Sequence, residues 1–411
     1  MAKKKFYGWY ILAGGFLILA LDGGVRFSFG ILIKPLISEF SWERGTITLA
    51  YSINLLVFGL CQPFAGRLLD RFGPRTLFSI SALTASIGLI LTSQSSSTLE
   101  LYLYYGVVTA VGLSGISIGV ISSTLSRWFR SLRGFVSGVA ISGTAFGQFL
   151  FIPLLALLMG RFGWRWSWVI LGTSLSLVIV PISIAVMRGS PLETGQEPYG
   201  SNGSHHYKRD ERNESLSEGL SSITTRVLRS KNFLLTAITY FICGFQDFFF
   251  VTHLIPFATD QGFSPQEASN LQGLSGLLSI PGLLLFSSIS EKIGRKIPLA
   301  LIFIPRILCF ALLLYSDSEP SITTSALLFG FTLMASAPLA SAIMGDLYGL
   351  KNIGVLTGTI LWIHHSGGAL GAYIGGFLYD LSGTYVAAFA ISLFLALIAV
   401  LTSISILEKR A

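Results

Sequence analysis

Two charged residues, Asp22 and Arg26, lie inside the first long apolar stretch of the chain, in the segment LDGGVRFSFGILIKP over residues 21–35. Each charge at the centre of a bilayer-spanning helix costs about 2.5–3.5 kcal/mol even on the lowest scale of insertion costs. Residues four apart share a helix face, so the two can neutralise each other, and Gly23 and Gly24 let a helix or a ligand approach the backbone. The pair is therefore either an ion pair that only helps packing, or a polar site in a water-filled cavity where Arg26 faces an anion.

Further ionisable residues occur in later apolar stretches. Asp247 lies in the seventh stretch, where an acid favours a cavity-facing position, and His253 follows near its end, as a ligand-contacting or an ordinary interfacial histidine. His364 and His365 are adjacent in the eleventh stretch, and because neighbours on a helix point about 100° apart, only one of them faces a cavity squarely. We expect Arg306, after Pro305, to pair with a neighbouring helix.

The composition indicates the class of protein that must hold these residues in place. The chain has 411 residues, of which 52% are hydrophobic and 12% charged, and it is too apolar for an ordinary soluble domain. The net charge of +8 is scattered over short connecting segments, so we expect no nucleic-acid binding. Cys61, Cys243 and Cys309 lie in apolar runs without ligand spacing, and no carboxylate or cysteine accompanies the histidine pair at such spacing. We expect no disulfide, no metal site and no cofactor.

Apolar runs of about 20 residues, each long enough to cross a hydrocarbon core of about 30 Å, recur along the chain. They predict an all-α membrane protein with twelve transmembrane spans, near residues 8–33, 45–68, 76–94, 100–126, 134–159, 167–187, 232–257, 266–288, 297–315, 322–345, 354–379 and 386–406. The long polar segment 188–231, rich in Ser, Gly and charge, is predicted to link two six-span halves, 1–187 and 232–411.

The basic residues between the spans predict the orientation of the chain. Of the 28 Lys and Arg residues, 22 lie on the side shared by the N-terminus, the linker and the C-terminus, and four lie on the opposite side. The excess marks the cytoplasmic side, so both termini are expected in the cytoplasm and the protein in the plasma membrane, which is the inner membrane in a Gram-negative cell.

The two halves repeat each other. Landmarks recur at offsets of 220 to 225 residues: the loop 69–75 as 290–296, Gly134 and Gly138 as Gly354 and Gly358, Gly163 as Gly383, and Asp22 as Asp247. A nearly constant offset indicates duplication of six spans, the parallel-repeat architecture of rocker-type transporters.

The loop after span 2 reads Gly66-Arg-Leu-Leu-Asp70-Arg71-Phe-Gly73-Pro-Arg75. It resembles the loop signature of the major facilitator superfamily, and the resemblance covers the whole chain. Gly66 permits close helix contact, Gly73 turns the chain, and the charges of Asp70, Arg71 and Arg75 suit a helix end on the cytoplasmic side. We expect these five residues to form a gating loop rather than a substrate site.

Finer features resemble the monocarboxylate porter branch and its bacterial organic-anion relatives. They are Tyr7-Gly8-Trp9, Ser28-Phe29-Gly30 with Lys34-Pro35, Arg127-Trp128-Phe129 with Arg133-Gly134, Gly163-Trp164-Arg165 and the segment 380–385. Carriers of this branch commonly place an Arg in span 8, whereas residues 277–284 here carry no charge. A Lys stands near the position of His364 in oxalate-type relatives, and a His near that of His365 is widespread and structural. The span 8 departure leaves Arg26 as the expected anion-binding cation of the inner helices.

Together these features predict a secondary transporter of a small organic anion, most plausibly a monocarboxylate, that works by alternating access with protons as the coupling ion. Arg26, His364, Tyr104 and Trp362 are the candidate substrate-binding residues, and Asp22 and Asp247 are the candidates for carrying the proton. We expect a monomer and no enzymatic activity, since no nucleotide-binding loop and no nucleophile with its base occur. An efflux antiporter for drugs or metabolites and a non-transporting membrane sensor are the alternatives.

Overall fold

The chain forms a bundle of long helices in the computed structural model, which describes residues 6–200, 227–349 and 353–408. In the first half, α1 spans Gly8–Phe40, α2 and α3 share the stretch Arg44–Thr92, α4 spans Thr98–Trp128, and α5 and α6 share Arg133–Ala185. In the second half follow α7 (Lys231–Asp260), α8 (Pro265–Ile293), α9 (Lys296–Tyr315), α10 (Glu319–Tyr348), α11 (Ile353–Ser382) and α12 (Val386–Ile404). Among these described residues there is no β-strand, only an isolated bridge between Phe129 and Tyr199.

Two glycines divide the two longest helical stretches. Gly73 has φ 74° between α2 and α3, and Gly163 has φ 75° between α5 and α6. Glycine has no Cβ, so it enters this left-handed region at little cost and lets the chain reverse between two helices. Nine of the described stretches are long and apolar enough to cross a bilayer. With the two divisions and with α11, the helices are consistent with the twelve predicted spans.

Several helices depart from regular geometry. The first is broken at Phe27 and Ser28, between Gly8–Arg26 and Phe29–Phe40, and so extends past its predicted end at residue 33. Helix α4 contains a π-helical segment, Tyr102–Thr109. Such interruptions within a span are commonly found at functional sites.

The residues that follow α6 lie against the N-terminal half as far as they are described. The backbone N–H of Tyr199 donates to the carbonyl of Trp128 at 2.8 Å, and Gln196 accepts a hydrogen bond from the N–H of Tyr7. The predicted linker 188–231 thus begins docked against the end of α4, while its residues 201–226 lie outside the described part of the chain.

The first and fifth helices of each half cross closely at glycine. A Cβ at Gly147 of α5 would lie 1.8 Å from the carbonyl oxygen of Ala20 in α1. In the second half, a Cβ at Gly244 of α7 would lie 1.8 Å from the carbonyl oxygen of His364 in α11. Only glycine permits such an approach. The two crossings lie close to Asp22 in α1 and to Asp247 in α7.

Candidate functional site

The predicted pair in α1 is buried. Asp22 is fully buried and Arg26 is 8% exposed, and a nitrogen of Arg26 (Nη2) lies 3.6 Å from Oδ2 of Asp22. This distance exceeds that of a hydrogen bond, so the two charges compensate without saturating each other. Nη2 of Arg26 and both carboxylate oxygens of Asp22 have no hydrogen-bond partner among the described residues. The pair therefore keeps donors and acceptors free.

Aromatic rings hold the Arg26 side chain in place. Its guanidinium lies over the ring of Phe58 in α2, 3.8 Å from the ring centroid, which favours a cation. The hydroxyl of Tyr51 donates to the backbone carbonyl of Arg26 at 2.9 Å. Tyr105 packs beside Tyr51, with 6.3 Å between the ring centroids, and its buried hydroxyl has no partner among the described residues. The predicted Tyr104 is only half-buried, so the structure places its neighbour Tyr105 at this site.

The second half contains a network around Asp247. Arg306 reaches inward from α9, and its Nη2 lies 2.7 Å from Oδ1 of Asp247. Nε2 of His364 in α11 lies 3.1 Å from the other oxygen, Oδ2. The side chain of Arg306 is fully buried and that of His364 is 14% exposed. Arg306 pairs with a neighbouring helix, as the sequence favours, and the partner proves to be the predicted proton-carrying acid.

Arg306 is held by further groups that sequence reasoning missed. Its Nε donates to the hydroxyl of Thr332 at 3.1 Å and its Nη2 to the carbonyl of the same residue at 3.2 Å. Nη1 lies 3.4 Å from Oε1 of Gln246. The guanidinium is also stacked over Phe329, at 4.7 Å from the ring centroid. Unlike Arg26, Arg306 has partners on each of its three nitrogens, so an anion would have to displace protein contacts to bind it.

The two networks approach each other through rings at the α2–α11 contact. Phe58, which carries Arg26, lies 5.1 Å from the ring of His365 between centroids, and His365 lies 5.6 Å from His364. Nδ1 of His365 is hydrogen-bonded to the carbonyl of Leu361 at 2.7 Å, so His365 packs while His364 reaches the acid. Trp362 is 41% exposed and lies against Gly59 of α2. The structure thus brings Arg26, His364 and Trp362 to one contact between the halves.

The loop 66–75 lies within the N-terminal half. Asp70 forms a 2.5 Å ion pair with Arg127 at the end of α4, and Nε of Arg75 donates to the carbonyl of Met187 at 2.9 Å. The side chain of Arg71 lies over Phe72, 5.0 Å from the ring centroid. In this conformation the loop therefore ties α2 and α3 to α4 and α6.

The two ends of the bundle differ in the contacts between the halves. The ends of α6 and α12 lie beside the starts of α1 and α7, where Tyr7 bonds to Val186 and Asn232 to Leu407. We call this the terminal side and the other the distal side. On the distal side the halves are joined by a group that we call the distal lock: Lys34 and Arg44 of the N-terminal half with Asp260, Asp380 and Tyr385 of the C-terminal half.

The distal lock is dense in charge-assisted bonds. Arg44 approaches both oxygens of Asp260, at 2.7 and 3.0 Å, and Lys34 pairs with the same carboxylate. Asp380 accepts hydrogen bonds from the backbone N–H groups of Arg44, at 2.9 Å, and Gly45, at 2.6 Å. These groups form the N-terminus of α2, where a carboxylate is stabilised by the helix dipole.

Two further polar contacts support the closed side. His253 is bonded to the hydroxyl of Tyr385 at 3.0 Å and to the carbonyl of Ala372 at 2.8 Å. It is therefore part of the packing behind the distal lock and not of the central site. Gln148 of α5 donates to the carbonyl of Gln272 in α8 at 3.1 Å, across the second contact between the halves.

On the terminal side, the ion pairs of the described residues stay within one half, such as Asp70 with Arg127 and Arg295 with Asp346. Cβ atoms placed at Gly66, Gly138, Gly354 and Gly358 would meet nothing within 4 Å among the described residues. These glycines lie on α2, α5 and α11, the helices that join the halves at the distal side. The described ion pairs between the two halves therefore lie on the distal side.

A bundle of long apolar helices with compensated charges buried inside its spans is typical of membrane transporters. The chain belongs to the Major Facilitator Superfamily, whose sequence profile matches residues 15–318 and, in a second match, 236–410.

Similar proteins agree with this family. The chain is 24% identical over 388 residues to monocarboxylate transporter 13 of Bos taurus, covering 94% of this chain and 86% of that protein. It is 26% identical over 416 residues to the uncharacterized MFS-type transporter YcxA of Bacillus subtilis (strain 168), covering 98% and 96%. Among solved structures, the nucleoside transporter NupG superposes with a TM-score of 0.74 at 14% identity, covering 98% of this chain and all of that one. The fold predicted from sequence is confirmed.

Proposed function

We propose that this protein transports a small organic anion of the monocarboxylate class by alternating access with proton symport. The anion binds between the halves, with Arg26 as its main partner and His364 and Trp362 beside it. The termini face the cytoplasm, the terminal side is the cytoplasmic opening, and the protein works as a monomer in the plasma membrane. The names of the monocarboxylate transporters among its relatives support the substrate class.

The observation that carries this proposal is the free hydrogen-bonding capacity of Arg26. A guanidinium stays charged at any working pH and offers five donors in a planar fork that suits a carboxylate. Asp22 neutralises Arg26 from 3.6 Å without a hydrogen bond. A carboxylate ligand can therefore bind Arg26 without breaking a protein bond, whereas each nitrogen of Arg306 already has a partner.

Asp22 and Asp247 are the groups that we propose for proton coupling. Each lies beside an arginine, and Asp247 also contacts His364, which makes an acid–base pair across two helices. Ionisable residues within spans commonly form proton relays. An efflux antiporter for cationic compounds is less well supported, because both acids are already compensated.

Binding to purified protein tests the proposal. Thermal shifts would be recorded with lactate, pyruvate, benzoate, oxalate and a neutral amide of the same size. We expect stabilisation by at least one monocarboxylate and none by the amide, since binding to the native state raises stability. Arg26→Gln should abolish the shift, whereas Arg67→Gln, an exposed arginine of the same half, should leave it unchanged.

The double variant Asp22→Asn with Arg26→Gln separates a binding role from mere packing. It leaves no unpaired buried charge, so it should fold, because removing both partners of a buried pair is often nearly neutral. Under the proposal it does not bind carboxylates. Full carboxylate transport by this variant would show that the pair only helps α1 to pack.

A further inference from the structure

Three different metal-ligating side chains meet on the second half of the bundle. Cys243 and Asp247 are one turn apart on α7, and His364 comes from α11. The Cys243 sulfur (Sγ) lies 3.6 Å from Oδ2 of Asp247, Nε2 of His364 lies 3.1 Å from the same oxygen, and all three ligand atoms lie within 4.8 Å of one another. We expected no metal site because the sequence shows no ligand spacing along the chain. Ligands that come from two helices, such as Cys243 and His364, show no such spacing.

These distances are close to those of a tetrahedral site. Zinc bonds of about 2.0–2.3 Å place neighbouring ligand atoms about 3.3–3.6 Å apart in a tetrahedron. The Cys243–Asp247 and Asp247–His364 distances are already near this range. The Cys243–His364 distance, which is at most 4.8 Å, has only to shorten.

The surroundings support metal binding by Asp247. Arg306 forms an ion pair with Oδ1 of this carboxylate at 2.7 Å, on the side away from Oδ2, so Oδ2 is left for a metal. Outer partners of this kind fix the ligand and are typical of built sites. The Cys243 thiol donates to the hydroxyl of Ser336 at 3.3 Å, and Nη1 of Arg306 lies 3.5 Å from the same sulfur, where its charge favours the thiolate that a metal binds.

We propose that Cys243, Asp247 and His364 form a binding site for Zn²⁺ or a similar thiophilic divalent cation. On binding, the Cys243 thiol gives up its proton to solvent and forms a metal–sulfur bond. Thiolate and carboxylate together balance the charge of the cation. The fourth position is open to a water, a hydroxide or an anion from the cavity, which offsets the charge of Arg306. Because His364 is also a proposed substrate contact, the cation competes with the anion, and this consequence alone rests on the proposed function.

Cobalt provides a direct test that does not depend on transport. The full chain, purified in detergent without a histidine tag, would be titrated with Co²⁺, and the thiolate-to-metal charge-transfer absorption recorded. We expect one equivalent to bind, Zn²⁺ to displace it, and Cys243→Ser to remove the band. Cys61→Ser is the matched control, since Cys61 lies on α2 and should leave the band intact.

A second variant keeps the thiol and removes another ligand. His364→Gln should weaken Co²⁺ binding at least about 100-fold, because even outer partners of a metal change affinity by about 10–100-fold. If Cys243→Ser does not fold, as judged by gel filtration, Cys243→Ala replaces it. Absence of the band in the wild type, or its persistence without Cys243, would overturn the proposal. If carboxylates fail to bind while Co²⁺ binds as expected, only the proposed function is lost.

Discussion

The distal lock sets which side of the protein is closed, and Asp260→Asn tests it. The carboxylate of Asp260 is 17% exposed and pairs with Arg44, whose side chain is 6% exposed, and with Lys34, which is 39% exposed. Loss of one partner of a fully buried pair costs about 3–5 kcal/mol. Here Arg44 retains its 2.9 Å bond to the hydroxyl of Tyr385, and the exposed Lys34 contributes about 1 kcal/mol at most. We therefore expect the variant to lose about 2–3 kcal/mol of stability in the closed state, roughly a 30- to 150-fold shift toward opening of the distal side.

Cysteine labelling measures this shift. Thr48 is buried at the contact with Gly376, so Thr48→Cys reports opening between α2 and α11. The three native cysteines would be replaced by serine, and a membrane-impermeant maleimide added to intact cells, where we expect the distal side to face the medium. Labelling should be faster with Asp260→Asn and unchanged with Asp317→Asn, which removes an exposed acid in the loop between α9 and α10. Equal rates in both variants would show that the charges of the lock do not hold the side closed.

Two further predictions concern ion pairs within one half. Asp70→Asn breaks an exposed pair with Arg127, so we expect little loss of stability. Turnover should change, whereas the Kd for a carboxylate should stay within about twofold of the wild-type value, which is about 0.4 kcal/mol. Normal turnover would contradict a gating role. Arg306→Gln leaves the buried Asp247 without its main partner and should lower stability by about 3–5 kcal/mol in thermal unfolding. The control is Arg295→Gln, which breaks a surface pair and should lower stability by less than about 1 kcal/mol. Similar losses of stability in Arg306→Gln and Arg295→Gln would show that the buried pair is not the stronger one.

Much of the fold follows from constraints that act along the sequence. A bilayer demands about 20 apolar residues per helix, and this alone predicts the spans. Gly73 was expected to turn the chain, and it has φ 74° between α2 and α3. The break of α1 at Phe27 and Ser28 was not predicted, because no proline or glycine occupies it and it depends on contacts from other helices, such as the bond from Gln272 to the carbonyl of Phe27.

The candidate site was predictable only where both partners lie on one helix. Asp22 and Arg26 are four residues apart, so their pairing follows from helix geometry. Arg306 and His364 reach Asp247 from α9 and α11 through the relative position of these helices and α7, which spacing along the chain does not determine. Tyr105, and not the adjacent Tyr104, lies beside Tyr51 in a π-helical segment, whose geometry spacing along the chain does not predict. The position of Arg306 midway along an apolar span indicated that it has a buried partner, but it did not identify Asp247 as that partner.

Each half contains one buried aspartate–arginine pair, but the two pairs differ in geometry. This difference indicates different roles for Arg26 and Arg306. In α1 a single helix carries acid and base, and in this conformation the two stay 3.6 Å apart, too far for a hydrogen bond. In the second half two helices carry them, so Arg306 approaches Asp247 to 2.7 Å and is held by Thr332 as well. An arginine whose three nitrogens all have protein partners, such as Arg306, stabilises the fold, whereas an arginine with a free donor, such as Arg26, can bind a ligand. The duplicated acid therefore anchors α9 to α7 in one half, and in the other it keeps Arg26 charged, buried and available.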